Sequence, residues 1–551
     1  MKCKPILSKC CITVLLLVAF LFTMPLLASA SENNVAKVGS KEYTTLKDAF
    51  DNALSGETVT LLKNIEDLTT DGIVTIPEGK AITLDMAGKT ITVDSKSFKG
   101  RVFINKGPFL ITGNGTIDTS LAGANGWGPV DNYGTLTIEN GTYKAVKDTE
   151  SVGIWNREGG TAYFKGGVYE GFPTVIRAAL GANTTISGGT YLNDAFPAIE
   201  NDGEMLITGG TFKNVSCSSC DSRWGYTIRN GVGGDEKSHL VFEESSQGAI
   251  SVTGVQGAVA NSGGLMEIKS GSYKTVGCSV HGTKTAHYAL YVAGENCDSK
   301  AIVTGGTFES ASKTAVMIGN DNTNGDGEIN ADATTEIKGG TFIAPKGQAA
   351  VTGAEKTGNP EITGGAFSSD PGEFVKENKI EIKQGNKYYV GATASKIIEN
   401  LKEGDEIIII AAEGDLSVPE GVKVKNETGN TIIVNGQEIE NGMDQTIEHI
   451  LVKVPAKEPT CTENGNKEYY ICSVCGEWFA SPDGRERIED HDSVILKAKG
   501  HRYENGVCEI CGKKEVKDES AETGDPIMIG LVIGIMGVSG VGIASLRRKS
   551  R

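Results

Sequence analysis

Two short phrases near the end of the chain carry the residue types best suited to hold a metal ion. Cys472-Ser473-Val474-Cys475-Gly476 and Cys508-Glu509-Ile510-Cys511-Gly512 share the pattern Cys-x-x-Cys-Gly. Thiolates at this spacing grip one ion from a tight turn, and the glycine permits the bend. Together Cys472, Cys475, Cys508 and Cys511 would close a tetrahedral structural zinc site with no open position. Such an ion folds its module and catalyses nothing. The same stretch holds His449, Cys461, His491 and His501. These allow a rival partition, with His449, Cys461, Cys472 and Cys475 around one ion and His501, Cys508 and Cys511 around another. Disulfides are the remaining alternative if the chain is exported, although bridges between Cys-x-x-Cys neighbours are strained.

Other reactive residues are more scattered. Cys217-Ser218-Ser219-Cys220 and Cys278-Ser279-Val280-His281 each start seven residues after a glycine of a recurring phrase, Gly210 and Gly271. Convergence would give three thiolates and an imidazole, with Cys297 as a further partner. The 61 residues between Cys217 and Cys278 imply intervening turns of chain, so free or locally bridged cysteines are the plainer reading. Asp131, Glu158, Glu200 and Asp202, with Arg157, Arg177 and Arg229 beside them, could line one face. A glycosidase needs two facing carboxylates, and a lyase needs a base beside groups that neutralise an acidic sugar. Here the residue types change from copy to copy, as solvated surface charges do, and no catalytic residue is assigned.

What must position these groups is a repeat. Ile207-Thr208-Gly209-Gly210-Thr211-Phe212 recurs as Ile186-Ser187-Gly188-Gly189-Thr190-Tyr191, as Val303 to Phe308, as Ile337 to Phe342 and as Ile362 to Phe367. Gly115, Gly141, Gly167, Gly189 and Gly210 step by 26, 26, 22 and 21 residues, the period of a solenoid. Upstream of the copies stand Val130-Asp131-Asn132, Ile154-Trp155-Asn156, Ile199-Glu200-Asn201, Ile228-Arg229-Asn230 and Val259-Ala260-Asn261. Each turn is therefore expected to carry two short alternating strands with glycine or asparagine corners. Inward Ile, Val and Phe would stack in ladders, and the asparagines would bond from turn to turn, interrupted where Ala178 takes their place.

The ends of the repeat read as caps. Tyr43 to Phe50 predicts a short amphipathic helix, followed by strands at Thr58 to Leu62 and Ile73 to Ile76, which would cover the open edge of the stack. With these features, residues 40–390 resemble the pectin-lyase-like, right-handed parallel β-helix segments of secreted surface proteins from Gram-positive bacteria. Beyond Pro371, a helix from Ala394, a strand at Glu406 to Ala411 and the phrase Val418-Pro419-Glu420-Gly421 echo the first cap and its Ile76-Pro77-Glu78-Gly79. The segment from Glu458 to Tyr503 resembles small zinc-ribbon-like modules in the same class of proteins.

Bulk properties fit an exported scaffold. With 72 glycines in 551 residues and 6% aromatic content, the chain is too long for one ordinary core and too glycine-rich for a helical protein. A formal net charge of -17 argues against nucleic acid as a partner. Lys2, Lys4 and Lys9, the apolar run from Ile12 and Ala28-Ser29-Ala30 have the order of a secretory signal. At the other end, Thr523-Gly524, an apolar span from Pro526 to Leu546 and the basic tail Arg547 to Arg551 look like a sortase sorting signal, with Ser520 and Ala521 where that pattern has Leu-Pro. Cleavage between Thr523 and Gly524 would join the chain to peptidoglycan, and an uncleaved tail would hold it in the membrane.

The expected organisation is an all-β chain. It comprises a signal peptide (1–30), a capped parallel β-helix (35–391), a β-rich spacer (392–443), a Cys-rich zinc-ribbon-like module (444–515), a linker (516–525), a transmembrane helix (526–546) and a cytoplasmic tail (547–551). The expected function is non-catalytic display at the cell surface, with an extracellular glycan or a host or neighbouring surface protein as partner. A polysaccharide lyase or glycoside hydrolase carried on the same β-helix is the alternative.

Overall fold

The computed structural model describes residues 33–68, 72–94, 100–122, 128–145, 152–193, 197–214, 225–233, 236–278, 280–283, 286–294, 297–319, 331–354, 357–376, 379–473, 476–484 and 486–516. The signal segment, Cys217, Cys220, Cys475, Thr523, Gly524, the 526–546 span and the basic tail lie outside the described residues. Among the described residues no helix is long and apolar enough to cross a membrane. The chain divides into two compact units, Met1–Glu448 and His449–Arg551.

In the first unit each turn carries three strands, not the expected two. One turn runs through Val130–Asn132, Thr135–Ile138 and Thr142–Lys144. Within the stack, strands pair in parallel with their equivalents one turn before and after, so that Val130–Asn132 lies between Phe103–Asn105 and Val152–Asn156. The resulting sheets have 11, 14 and 16 strands among the described residues, mostly parallel, which is the arrangement of a β-helix. The recurring phrase proves to straddle a corner, since Ile207 ends one strand and Gly210 starts the next. Strands of three to five residues contribute only two or three inward side chains each. A period-2 pattern that short cannot separate two strands joined by a two-residue corner.

Each sheet buries its own ladder. On the first, Asn105 donates to Asn132 Oδ1 at 2.7 Å, and Asn132 donates to Asn156 Oδ1 at 2.7 Å. Ala178 then sits in register between Asn156 and Asn201, and the Asn156 amide turns to Thr184 Oγ1 at 3.0 Å and the Asn183 carbonyl at 2.8 Å. The ladder resumes from Asn201 to Asn230 at 2.7 Å and from Asn230 to Asn261 at 2.9 Å. Its first rung, Asn105, is an addition to the residues expected from the sequence.

The third sheet stacks aromatic rings. Tyr143, Tyr169, Tyr191 and Phe212 follow one another with centroids 4.8, 4.8 and 4.7 Å apart. Val252 takes the next place, and Tyr273, Phe308, Phe342 and Phe367 continue the column. The buried tyrosine hydroxyls donate to a carbonyl three residues back, as Tyr191 does to Gly188 at 2.9 Å. This packing explains the double glycine. Gly189 adopts φ +103, and a Cβ there would stand 3.0 Å from the Tyr191 hydroxyl.

Both ends of the stack are closed by antiparallel strands. At the start, Ala36–Val38 pairs with Lys41–Tyr43 and with Thr58–Leu61. Helix α1 (Leu46–Asn52), capped by Thr45 Oγ1 accepting from the Asp48 amide at 3.0 Å, buries Leu46, Ala49 and Phe50. Phe50 packs on Phe103 and Phe109 at 5.7 and 5.9 Å. At the far end Gly364–Phe367 meets Lys387–Gly391 in antiparallel register, and Glu381–Gln384 and Glu406–Ala411 extend the same sheet. Helix α2 (Ala392–Glu399) buries Ala394 and Ile398 in a second core that runs from Ile382 to Ile447. The spacer is thus a continuation of the third sheet with a core of its own.

Candidate metal centre

The second unit is built from short antiparallel pairs. Leu451–Val454, Tyr469–Cys472 and Trp478–Phe479 form one sheet, Gly465–Asn466 pairs with Ile495–Leu496, and Tyr503–Glu504 pairs with Val507–Cys508. Its buried apolar cluster consists of Tyr469, Ile488 and Val494, with Val454, Ile471 and Trp478 against them. A core this small among the described residues is of the kind that a staple such as a metal commonly supplements.

Three local features bring four candidate ligands together. Asn505 and Gly506, at φ +51 and +74, make the tight turn that presents Cys508. The Gly512 amide donates to the Cys508 carbonyl at 2.8 Å, folding Cys511 back toward Cys508. The Lys499 amide bonds to the Thr460 carbonyl at 2.9 Å and the Gly500 amide to the Cys461 carbonyl at 3.0 Å, which draws His501 alongside Cys461.

The outcome is a group of Cys461, His501, Cys508 and Cys511 whose ligand atoms all lie within 4.8 Å of one another. Cys461 Sγ and Cys508 Sγ are 3.7 Å apart, and Cys511 Sγ stands 3.4 Å from His501 Nδ1. A disulfide needs about 2.05 Å between sulfurs. Thiolates bound tetrahedrally at about 2.3 Å from an ion stand about 3.8 Å apart, so the Cys461–Cys508 spacing suits two ligands of one metal ion. Cys461 and Cys508 are buried, His501 is half-buried and Cys511 is exposed. Burial and the neighbouring thiols push the Cys461 thiol up to about 12. Burial acts the same way on Cys508, but bonds from His501 and from the amides of Cys511, Ile510 and Arg502 outweigh it and bring that thiol down to about 5.

This grouping differs from the four-thiolate site expected from the sequence. Cys508 and Cys511 are partnered by Cys461 and His501, while Cys472 lies beside His449. The rival partition had His501 with Cys508 and Cys511 and had Cys461 with the other ion. Cys475 lies outside the described residues. His491 takes no part in either group and stacks on Trp478 at 4.0 Å, which in turn stacks on Tyr469 at 4.3 Å.

No protein-family model, curated protein or solved structure matches this chain.

In the first unit, Asp131, Trp155, Arg177, Glu200 and Arg229 stand in one row across successive turns of the asparagine sheet. Asp131 is held between Arg101 Nε at 2.8 Å and Arg157 Nη2 at 2.9 Å. The Arg157 guanidinium lies 3.3 Å over the Trp155 ring, with Arg177 at 5.1 Å. Arg177 Nε reaches Glu200 at 3.7 Å, and Arg229 donates to Ser262 Oγ at 2.9 Å. Burial raises the Glu200 carboxyl and lowers the Arg101 guanidinium to about 10, in each case against the pull of the opposite charge. Asp202 accepts from the Gly233 amide at 2.6 Å, and Glu158 is exposed at a corner. An open cleft of about 640 Å³ beside this row is lined by Glu78, Ile104, Lys106 and Tyr133. Cys278 Sγ stands 3.2 Å from His281 Nδ1 and accepts from the His281 amide at 3.1 Å, a local Cys-x-x-His turn.

Proposed function

We propose that this chain is a non-catalytic surface protein, exported through its signal segment and tethered by its C-terminal tail, whose β-helix displays a face for binding extracellular glycan or a partner surface protein. The stack is read as a right-handed parallel β-helix of the pectin-lyase-like kind, since crossovers between parallel strands are right-handed in almost all cases. The second unit is read as a zinc-ribbon-like module. Its Cys461, His501, Cys508 and Cys511 would hold zinc, which is suited to a closed tetrahedral set of sulfur and nitrogen ligands. That ion braces the fold and takes no part in a reaction. Thr523-Gly524, if cleaved, would carry the chain to peptidoglycan, and the 526–546 span would otherwise keep it in the membrane.

The observation that carries this reading is the use of the carboxylates in the row on the asparagine sheet. Asp131 has an arginine on each oxygen, and Glu200 faces Arg177. A hydrolase needs one carboxylic acid and one free carboxylate across the scissile bond. Carboxylates tied to arginine are poor in both roles. The cleft next to them offers Tyr133, which is 47% exposed, together with Lys106 and Glu78, a ring and charges of the kind that grip a sugar without cutting it. Binding of the full-length protein to immobilised glycans tests the reading. Tyr133→Ala is expected to reduce retention about tenfold with an unchanged melting temperature, and equal retention by the variant would overturn this use of the cleft.

A further inference from the structure

Cys472 and His449 are left over from the centre formed by Cys461, His501, Cys508 and Cys511. Leu451–Val454 runs antiparallel to Tyr469–Cys472 with Leu451 opposite Cys472, and His449 stands two residues before that strand. A ring nitrogen of His449 and Cys472 Sγ lie within 4.8 Å of each other. The approach is fixed from the backbone, since the Ser473 amide at 2.9 Å and the Ser473 hydroxyl at 3.1 Å both donate to the Ile450 carbonyl. The imidazole also packs against the Phe479 ring at 4.2 Å and Gly484, where a Cβ would stand 2.9 Å from His449 Cδ2.

The chain beyond Cys472 also copies the turn of the first centre. The Gly476 amide donates to the Cys472 carbonyl at 3.0 Å and Gly476 has φ +77, as the Gly512 amide does to Cys508 at 2.8 Å with φ +72. The Cys472 amide bonds to the Glu477 carbonyl at 2.9 Å, as the Cys508 amide does to Lys513 at 2.8 Å. At Cys508 this turn serves the candidate metal group. We infer that His449 and Cys472 belong to a second metal centre, so that the C-terminal unit takes two zinc-type ions, one braced by the Leu451–Val454 sheet and one by the terminal hairpin. The inference rests on His449 and Cys472. It shares with the proposed function only the premise that this unit is folded by metal, since thiolate with imidazole is the ligand chemistry of zinc.

The test is the metal content of the purified full-length protein, with cobalt(II) titration as a second measurement. Two ions per chain are expected, with the thiolate-to-cobalt absorption rising to an end point at two equivalents. Cys472→Ser and His449→Ala should each leave one ion, Cys461→Ser and His501→Ala should each leave the other, and His449→Cys, which replaces one ligand by another, should restore two. One ion per chain that survives Cys472→Ser and is lost with Cys461→Ser would overturn the second centre and leave the first standing. No ion at all would overturn both. If Cys472→Ser empties the whole unit by unfolding it, the end point of the wild-type titration decides: two equivalents support the inference and one overturns it.

Discussion

At the scale of single residues, the first unit is governed by amides and rings that are fully buried and fully used. Asn132 accepts from Asn105 and donates to Asn156, with its amide also reaching the Gly134 carbonyl at 3.1 Å and the Thr161 carbonyl at 3.0 Å. Asn132→Ala leaves those groups buried without their partner, and a buried polar group so stranded costs about 1–3 kcal/mol. We expect a loss of about 2–3 kcal/mol in denaturant unfolding of the first unit. Thr137→Ala, at a half-buried position on the neighbouring sheet, should change stability by less than about 0.5 kcal/mol. Equal effects of the two would mean that the ladder contributes nothing beyond packing. The asparagines were legible in the sequence because they recur beside an inward Ile or Val. Asn105 was not, because its phrase Phe103-Ile104-Asn105 precedes the regular copies.

At the scale of elements, the far cap has a weak point. Glu381 begins the strand that joins the stack to the second core, is 3% exposed, and has Oε1 buried without a hydrogen-bond partner. Burial first, and the charge of Asp370 second, raise its carboxyl to about 7. In the unfolded chain the same group ionises near 4.5. Between these values the unfolded state binds fewer protons than the folded one, so stability falls as pH rises from about 4.5 to 7. Glu381→Gln should remove that slope, raising the melting temperature at pH 8 more than at pH 4.5. A uniform shift at both would contradict the assignment. The caps themselves were readable, since α2 and the Glu406–Ala411 strand fall within two residues of the expected elements. The third strand of each turn was hidden by corners of two residues, and the candidate ligand set by distance in sequence. Cys461 and His501 are 40 residues apart, and the hydrogen bonds from Lys499 and Gly500 that unite them leave no mark on spacing.

At the scale of the whole molecule, the two units depend on different physics. Among the described residues, Met1–Glu448 is held by ladders, the long apolar core of the stack and the second core beyond it, while His449–Arg551 has a small core and its thiols. Structural zinc contributes on the order of 10–16 kcal/mol in isolated modules, which exceeds the stability such a core supplies alone. A chelator should therefore abolish hydrogen-exchange protection of the 451–454 and 469–472 amides and leave the 130–367 ladder unchanged. Protection retained in both units would remove the metal from the account. On the proposed function, the arginine-paired row and the open cleft bind a sugar chain without breaking it. The most direct measurement incubates the full-length protein with a panel of neutral and acidic polysaccharides and quantifies both bound polymer and new reducing or unsaturated ends. The account predicts bound polymer of unchanged length, and release of new ends above a protein-free control would contradict it.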